Sequence, residues 1–580
     1  MKTKKAVVRI LSYTKPYLRY LLGALLCAVV SVCLTLLGPV LVGDAIDFII
    51  AKGQVDFANV AKILLVLLIT IGGVALFQWL MALCTNAVSY YTVRDMRREA
   101  FKKLHDVPLK YIDTTMHGDL ISRIVNDIDA VGDGLLQGIT QLFSGLVTIV
   151  GTVVFMLAIN IQIALVVVLI TPLSLFVAAF IARLSAKMFK EQQQTQGEIS
   201  GYIEEVIGNQ KVVKAFLREE KSAETFEEIN QRLYVCGKKA QFASSLANPS
   251  TRFVNGIVYA AVGVIGAVSA VSGLLTVGQI SCFLTYANQY TKPFNEVTGV
   301  IAQLQTAVAG AKRVFALLDQ TNQSPDKEGA YVLHSCKGQI DIDNISFSYT
   351  PQQKLIEHFC LHVQPGQRVA IVGPTGCGKT TIINLLMRFY DVNSGRICID
   401  GVDIRQVTRE SLRSQYGMVL QESWLYHATV RENIAYGKPD AKQEEIEAAA
   451  KAAYAHGFIC QLENGYDTIV TEQGANLSQG QRQLLCIARV MLCNPPMLIL
   501  DEATSSIDTL TEQRVQKAFQ KMMQGRTSFI VAHRLSTIQE ADVILVMQNG
   551  NIVEQGTHTS LLQKGGFYSR LYNSQFAPVK

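Results

Sequence analysis

A glycine-rich segment, Gly373-Pro-Thr-Gly-Cys-Gly-Lys379-Thr380, carries the clearest chemical signal in the sequence. It follows the apolar run Val369–Val372 and precedes the apolar run Thr381–Phe389, the strand–loop–helix setting that a phosphate-binding loop requires. In such a loop the glycines let backbone N–H groups surround phosphates, and the helix N-terminus adds positive potential. Lysine then reaches the terminal phosphates and threonine ligates Mg²⁺. The segment therefore predicts a site for ATP and Mg²⁺.

The nucleotide is expected to contact the loop and the first turn of the helix after it. A glycine-rich turn with a solvated lysine is the alternative, and the flanking strand and helix disfavour it. The residues assigned to the nucleotide in this segment are Gly373, Thr375, Gly376, Cys377, Gly378, Lys379, Thr380 and Thr381.

A pair of carboxylates follows a second apolar run. Met497–Leu500 reads as a buried strand, and Asp501 and Glu502 come directly after it. One carboxylate can hold Mg²⁺ while the next orients and deprotonates water. An isolated Asp-Glu pair is more often a solvated turn, but its combination with a phosphate loop favours a hydrolytic site.

Length and composition indicate two unlike parts. The chain of 580 residues exceeds the roughly 250–300 residues at which single cores stop growing. Its N-terminal part is very apolar and its C-terminal part has an ordinary soluble composition, with the change near residue 320. The net charge of +6 sits largely beside hydrophobic runs, which argues against nucleic acid as a partner. The 12 cysteines form no C-x-x-C pair, which fits a reducing cytosol.

The apolar part predicts a polytopic membrane domain. A helix needs about 20 apolar residues to cross the hydrocarbon core, and roughly six stretches approach this length. They cover 20–43, 61–86, 135–159, 161–184, 248–273 and 276–300, and the first is expected to be a retained helix rather than a signal peptide. The uncharged run 161–180 is the clearest. The last stretch carries polar residues expected to face a partner helix or a wet cavity, namely Asn288, Gln289, Lys292 and Glu296.

Loop charges predict the orientation. Basic residues dominate after the second stretch and acidic residues after the first, which places the N-terminus and the C-terminal domain in the cytosol. The charged segments 87–134 and 185–247 keep helical periodicity, so the helices are expected to extend into the cytosol. The predicted protein is a multi-pass protein of a bacterial cell membrane.

Residues 321–336 have the composition of a linker. Beyond them, short β-branched runs alternate with helix-length segments, which predicts a mostly parallel sheet. The predicted fold is therefore an all-α membrane domain over 1–320, a linker, and an α/β ATPase domain with a helical subdomain over 337–580.

At this point the chain resembles the ABC transporter family, specifically exporters that fuse six transmembrane helices to one nucleotide-binding domain. The most specific mark is Leu477-Ser-Gln-Gly-Gln481, which is similar to the family's signature motif at the start of a helix. The resemblance implies that Ser478 and Gly480 bind the γ-phosphate of ATP held by a second chain, and that Gln481 also belongs to the nucleotide site. Gln479 departs from the glycine that is usual in this motif.

Four further positions match the family one at a time. Tyr349 resembles the aromatic residue that stacks on adenine, and Gln421 the glutamine that links nucleotide, Mg²⁺ and membrane domain. Asp508 belongs to a segment similar to the D-loop, and His533 resembles the histidine that contacts the γ-phosphate. The resemblance implies Glu502 as general base, with His533 and Gln421 beside it in catalysis. Thr380, Gln421 and Asp501 are the implied Mg²⁺ ligands.

The resemblance also implies partners. ATP would be clamped between two half-transporter chains, and closure of the clamp would turn the helix bundle outward to export an amphiphilic compound or a lipid. The signature with Gln479 and the stretch Tyr290-Thr-Lys-Pro293 favour an unlike partner chain over a second copy. Gly118–Arg123 and Val212–Phe216 resemble segments that flank the helices coupling the two domains. An ATP-gated channel or regulator is the alternative function.

No motif in the sequence identifies the compound that is transported. A mixed polar and aromatic cavity is one interpretation of several residues in the apolar part, and hydrogen bonding between helices is the other. These residues are Gln78, Trp79, Asn255, Tyr286 and Gln289.

Overall fold

The computed structural model describes the chain except for residues 1–2, 52–53, 351–354, 421–422, 472–473, 502–507, 532–537 and 577–580. The chain divides into two compact units. The first comprises Met1–Asp106 and Met116–Gln320, and the second comprises Val107–Thr115 and Thr321–Lys580. The segment Val107–Thr115 therefore belongs to the same unit as the C-terminal domain, although it lies in the N-terminal half of the sequence.

The first unit is built almost entirely of helices. In chain order they are α1 Thr3–Thr14, α2 Leu18–Asp47, α3 Phe57–Asp106, α5 His117–Ser122, α6 Ile128–Ile159, α7 Ile161–Ile170, α8 Pro172–Gly208, α9 Gln210–Ala215, α10 Glu219–Ser245, α11 Ala247–Val271 and α12 Val277–Leu318. Helix α4, Leu109–Thr114, belongs to the second unit. A π-helical turn, Arg123–Asp127, joins α5 to α6, and the short strands β1 Ile49–Ala51 and β2 Gln54–Val55 pair between α2 and α3.

Four stretches of the described residues are long and apolar enough to cross a membrane. They are Lys4–Asp47, Phe57–Asp106, His117–Ile159 and Glu219–Val271. The structure thus contains long membrane-type helices at the first, second, third and fifth predicted spans.

The fourth predicted span differs from expectation. The uncharged run is divided between α7, which ends at Ile170, and α8, which begins at Pro172. Thr171 keeps helical dihedral angles and its hydroxyl donates to Val167 O at 2.8 Å. Since proline has no N–H to donate, the hydrogen-bond ladder is interrupted there while the chain direction continues. The sixth predicted span lies within the 42-residue helix α12, which contains Pro293 and is not among the four apolar stretches.

The second unit contains two sheets. Its strands are β3 Ile340–Phe347, β4 Ile356–Val363, β5 Arg368–Val372, β6 Ser394–Ile399, β7 Val402–Asp403, β8 Tyr416–Val419, β9 Met497–Asp501, β10 Thr527–Val531, β11 Val543–Gln548 and β12 Asn551–Gly556. One sheet has the order β12-β11-β5-β10-β9-β8 and is parallel except for β12. The other is antiparallel with the order β4-β3-β6-β7. The predicted parallel sheet is confirmed, and the antiparallel sheet was not predicted.

Helices cover the parallel sheet and form a helical region beside it. They are α13 Lys379–Leu386, α14 Arg409–Ser414, α15 Val430–Ile434, α16 Gln443–Ala452, α17 His456–Ile459, α18 Gln479–Cys493, α19 Thr509–Met523, α20 His558–Lys564 and α21 Phe567–Phe576. Strand β5 shows why its residues are apolar throughout: Val369 and Ile371 join one hydrophobic core, and Ala370 and Val372 join the other. A strand buried on both faces cannot alternate with polar residues. The predicted class, a helical membrane domain followed by an α/β domain, is confirmed.

Candidate functional site

The glycine-rich loop connects the carboxyl end of β5 to α13, as the sequence predicts. Gly378 is the N-cap of α13 with φ +102°, a left-handed conformation that favours glycine. A Cβ on Gly373 would lie 2.3 Å from Met547 O, so the loop passes too close to β11 for any side chain there. The loop therefore passes close to β11 at Gly373 and turns into α13 at Gly378.

Lys379 and Thr380 open α13. The Lys379 ammonium donates to Gly373 O at 2.8 Å and to Pro374 O at 3.0 Å, so it lies against the carbonyls at the start of the loop. The Thr380 side chain is exposed, whereas Thr381 is buried in the first turn. The N–H groups of a helix N-terminus and an adjacent ammonium form a site for phosphate. The geometry therefore suits the triphosphate part of ATP.

Tyr349 lies beside this helix. Its hydroxyl donates to Thr381 Oγ1 at 3.3 Å and accepts from Asn384 Nδ2 at 3.2 Å. The ring packs edge-on against Phe347 and Tyr390, with centroids 5.0 Å away in each case. Tyr349 is half-buried. Asn384, which sequence reasoning missed, fixes the hydroxyl end of this ring.

The sheet order places the carboxylate strand near the loop. Asp501 ends β9, and β10 lies between β9 and β5 with Val531 opposite both Asp501 and Ile371. At the usual strand spacing, β9 and β5 are about 10 Å apart. Asp501 carries a carboxylate and Thr380 a hydroxyl, and both are oxygen groups of the kind that Mg²⁺ prefers as ligands.

Three predicted residues lie outside the part of the chain that the structure describes: Gln421, Glu502 and His533. Among the described residues there is no cluster of three or more His, Cys, Asp or Glu side chains that could hold a metal. Mg²⁺ commonly binds through one or two protein oxygens together with substrate phosphates and water. The described residues are compatible with that mode of binding.

The signature segment begins α18. Ser478 is its N-cap, with the hydroxyl accepting from Gln481 N at 3.3 Å, while Gln481 Oε1 accepts from Ser478 N at 2.9 Å. This reciprocal capping box satisfies two donors that the helix would otherwise leave unpaired. Gly480 is buried in the first turn and Gln479 is half-buried. The segment thus presents a helix N-terminus with an exposed serine.

Asp508 has a similar position at α19. Its carboxylate accepts from Thr511 N at 2.9 Å and caps the helix. The hydrogen bonds from the Thr511 backbone and side chain lower the pKa of Asp508. The residue is therefore ionised at neutral pH.

A hydrogen bond that sequence reasoning missed links the tyrosine cluster to helix α4. The Tyr390 hydroxyl donates to the Asp113 carboxylate, and burial together with this bond raises the pKa of Tyr390. Asp113 lies in a helix of six residues that begins after Pro108 and belongs to the second unit. A proline followed by a short amphipathic segment is the only signal in the sequence that could have indicated it. The segments Gly118–Arg123 and Val212–Phe216, which resemble those beside the coupling helices of the family, belong to the first unit.

The predicted cavity residues separate into two groups. Gln78 and Gln289 line one cavity in the first unit, together with Lys292. Tyr286 is buried and donates to Leu36 O at 2.6 Å, so it bonds one helix to another. Trp79 and Asn255 do not line that cavity. The structure therefore favours the cavity interpretation for two of these residues.

Fold and site together define a phosphate-loop nucleotide hydrolase fused to a bundle of membrane helices. The family model for the ABC transporter transmembrane region matches residues 21–294, and the ABC transporter model matches residues 356–505. The chain belongs to the ABC transporter family, as an exporter-type half-transporter. It is a multi-pass membrane protein that binds ATP, and its ATPase is coupled to transport in a dimer.

Several relatives cover nearly the whole chain. An uncharacterized ABC transporter ATP-binding protein of Bacillus subtilis is 42% identical over 99% of this chain and 95% of the relative. A fatty acid ABC transporter ATP-binding/permease protein of Mycobacterium bovis is 43% identical over 90% of this chain and 83% of the relative. An ATP-dependent lipid A-core flippase of Desulfotalea psychrophila is 37% identical over 99% and 100%. The solved structure of a bacterial Atm1-family ABC exporter with ATP bound superimposes with a TM-score of 0.79, at 29% identity over 97% and 99%.

Proposed function

We propose that this chain uses ATP to export lipids or other amphiphilic compounds by alternating access. The observation that carries the proposal is the union of a phosphate loop and signature helix with membrane-spanning helices in one chain. Relatives named for a fatty acid and for lipid A-core support an amphiphilic cargo. The N-terminus and the ATPase domain, residues 337–580, would lie on the cytosolic side of a bacterial cell membrane.

The nucleotide would contact residues already placed at the loop. The Lys379 ammonium would exchange its two carbonyl contacts for phosphate oxygens, and the loop N–H groups would donate hydrogen bonds to the remaining phosphate oxygens. Tyr349 presents its ring to adenine, because its hydroxyl is held by Asn384. Mg²⁺, which neutralises phosphate charge when bound, would be held by Thr380, Gln421 and Asp501.

Hydrolysis would depend on residues from two chains. Glu502 would take a proton from the attacking water, and His533 would position Glu502 and the γ-phosphate. Ser478, Gly480 and Gln481 of one chain close on the phosphate bound by the other, where the helix N-terminus of α18 favours negative charge. Asp508, in the segment that resembles the D-loop, would also contact the nucleotide.

Glu502→Gln tests this assignment. The variant is expected to bind ATP and to hydrolyse it at about 1% or less of the wild-type rate, because general-base catalysis contributes about 100-fold or more. ATP binding and phosphate release are measured separately, in lipid nanodiscs. Near-normal hydrolysis by a dimer in which every copy of this chain carries the variant would contradict the role of Glu502.

We also propose an unlike partner chain, as Gln479 and the stretch from Tyr290 to Pro293 suggest. The chain purified alone would then show little ATPase activity, and co-expression with the partner would restore it. Native mass spectrometry counts the subunits. Robust and cooperative hydrolysis by a dimer of this chain alone would show instead that two copies suffice.

A further inference from the structure

The membrane unit contains a cavity of about 410 Å³, here named the head cavity, which lies between α2, α3, α6 and α12. Three of these helices belong to the apolar stretches long enough to span a membrane. The cavity volume is within the range of about 300–1,000 Å³ that is usual for ligand pockets. Its lining is polar for a site among such helices: Ser31, Thr35, Gln78, Ser144, Thr148, Gln289 and Lys292.

Lys292 is the only charged residue among the described residues that line the head cavity. Within the described part of the chain, no carboxylate lies within ion-pair distance of its ammonium. An ammonium among membrane helices is costly without a counter-charge, and such residues commonly mark a substrate path. Among the described residues, therefore, no carboxylate neutralises the charge that Lys292 brings to the lining of the cavity.

Among the described polar groups that line the head cavity, the Lys292 ammonium is the dominant hydrogen-bond donor. The hydroxyls of Thr35 and Ser144 donate to carbonyls of their own helices, Ser31 O at 2.8 Å and Thr140 O at 2.6 Å. Gln289 Oε1 is buried and has no hydrogen-bond partner among the described residues. Pro293 has no N–H to donate to the carbonyl of Gln289, so that carbonyl lacks its usual helical donor. The lining thus combines a cation with hydrogen-bonding groups that a polar head group would satisfy.

A second pocket adjoins the head cavity. This tail groove, of about 200 Å³, is lined mainly by apolar residues of α6 and α12: Leu142, Leu146, Ile149, Val300, Ile301 and Leu304. Both pockets include Gly145 and Pro293 in their lining. A Cβ on Gly145 would lie 3.5 Å from Pro293 Cβ, so the glycine keeps space between the two helices at the junction. A polar chamber therefore continues into an apolar groove.

We infer that the head cavity and the tail groove together bind an amphiphile with an anionic head, a carboxylate or a phosphate, on a long acyl chain. The head contacts Lys292 and the cavity amides, and the chain lies in the tail groove. The inference rests on the proposed function, since it assigns the substrate class of that exporter. A cationic amphiphile is disfavoured, because it would place a second positive charge beside Lys292 without a counter-ion.

The experiment measures binding of radiolabelled hexadecanoate to the functional dimer in nanodiscs, with empty discs subtracted. Competitors of the same chain length are hexadecyl phosphate, hexadecanol and hexadecyltrimethylammonium. The two anions are expected to compete about tenfold or more better than the alcohol and the cation, as one charge-assisted hydrogen bond predicts. The stronger of the two anions identifies the head group as carboxylate or phosphate.

Two substitutions examine the two pockets. Lys292→Gln is expected to weaken hexadecanoate binding about tenfold and leave hexadecanol unchanged, whereas Lys62→Gln, an exposed lysine of α3 outside the cavity, has no effect. Gly145→Leu fills the junction and is expected to weaken binding of both the acid and the alcohol. Equal competition by all four amphiphiles would overturn the inference. So would an equal loss of acid and alcohol binding in Lys292→Gln, which would indicate that the substitution disturbs the helices around the cavity rather than a contact with the head group.

ATPase activity of the same samples separates the two proposals. Anion-selective binding without any effect of hexadecanoate on ATP hydrolysis or on its transport into vesicles would support the binding site and contradict the proposed export of this class. ATP-driven transport of amphiphiles without charge selectivity would support export and contradict the anionic substrate class.

Discussion

Ser478 combines a structural and a functional role that the geometry allows to be separated. Its hydroxyl caps α18, and Gln481 returns the contact. Ser478→Ala removes this cap, at a cost of about 1 kcal/mol to the helix N-terminus. Local opening of the first turn should then be about fivefold more frequent. If Ser478 also contacts the γ-phosphate across the dimer, the loss of ATPase must be far larger, about 100-fold or more, as for other donors that stabilise developing charge.

The assay compares hydrogen exchange of the first-turn amides of α18 with steady-state ATPase, both on the dimer in nanodiscs. Ser478→Asn is the matched control, because asparagine caps helices as well as serine but places an amide where the hydroxyl was. It should exchange like the wild type and still lose most ATPase. An ATPase loss in Ser478→Ala of only a few-fold, with full activity in Ser478→Asn, would refute the phosphate contact and leave Ser478 as a cap alone.

Three further outcomes follow from the nucleotide site. Tyr349→Phe keeps the ring and should change the KM for ATP little, whereas Tyr349→Ala should raise it severalfold; equal effects would contradict stacking on adenine. Tyr390→Phe and Asp113→Asn each break the same hydrogen bond, so the thermal unfolding temperature should fall in each and no further in the double variant; additive effects would contradict a shared contact. Maleimide should react slowly with Cys377, which is 4% exposed, and thereby inactivate the enzyme, and bound ATP should slow the inactivation further. If a variant with Cys377 as its sole cysteine remained fully active after treatment, the expected inactivation at Cys377 would be contradicted.

The nucleotide site was largely predictable because its signal is local. A buried strand, a glycine-rich loop and a helix occupy consecutive residues, and the structure places β5, the loop and α13 in that order. The contact between Tyr390 and Asp113 was not predictable, because 277 residues separate them in the sequence. The antiparallel sheet escaped prediction for a related reason: β3 pairs with β6 across the whole of β4, β5 and α13. Contacts of this kind depend on the path of the whole chain.

Membrane helices were predicted from hydropathy, which reports length and composition but not hydrogen bonding. It therefore located the uncharged run 161–180 but gave no indication that the helix ladder is interrupted at Pro172. Conversely, the polar residues of α12 weakened the prediction of a sixth span. The structure supplies a reason for two of them, since Gln289 and Lys292 line the head cavity.

Pro293 lies beside the proposed binding site and at a position where helix α12 can bend. It borders both the head cavity and the tail groove, and it interrupts the ladder of the 42-residue helix α12. Helices bend most readily where a proline removes a hydrogen bond. Under alternating access, α12 must change its path between two states, and a ligand can shift that equilibrium only through contacts that differ between them. An amphiphile bound at Lys292 and along the tail groove contacts α12 on both sides of Pro293, so its binding energy would act directly on the bend of that helix.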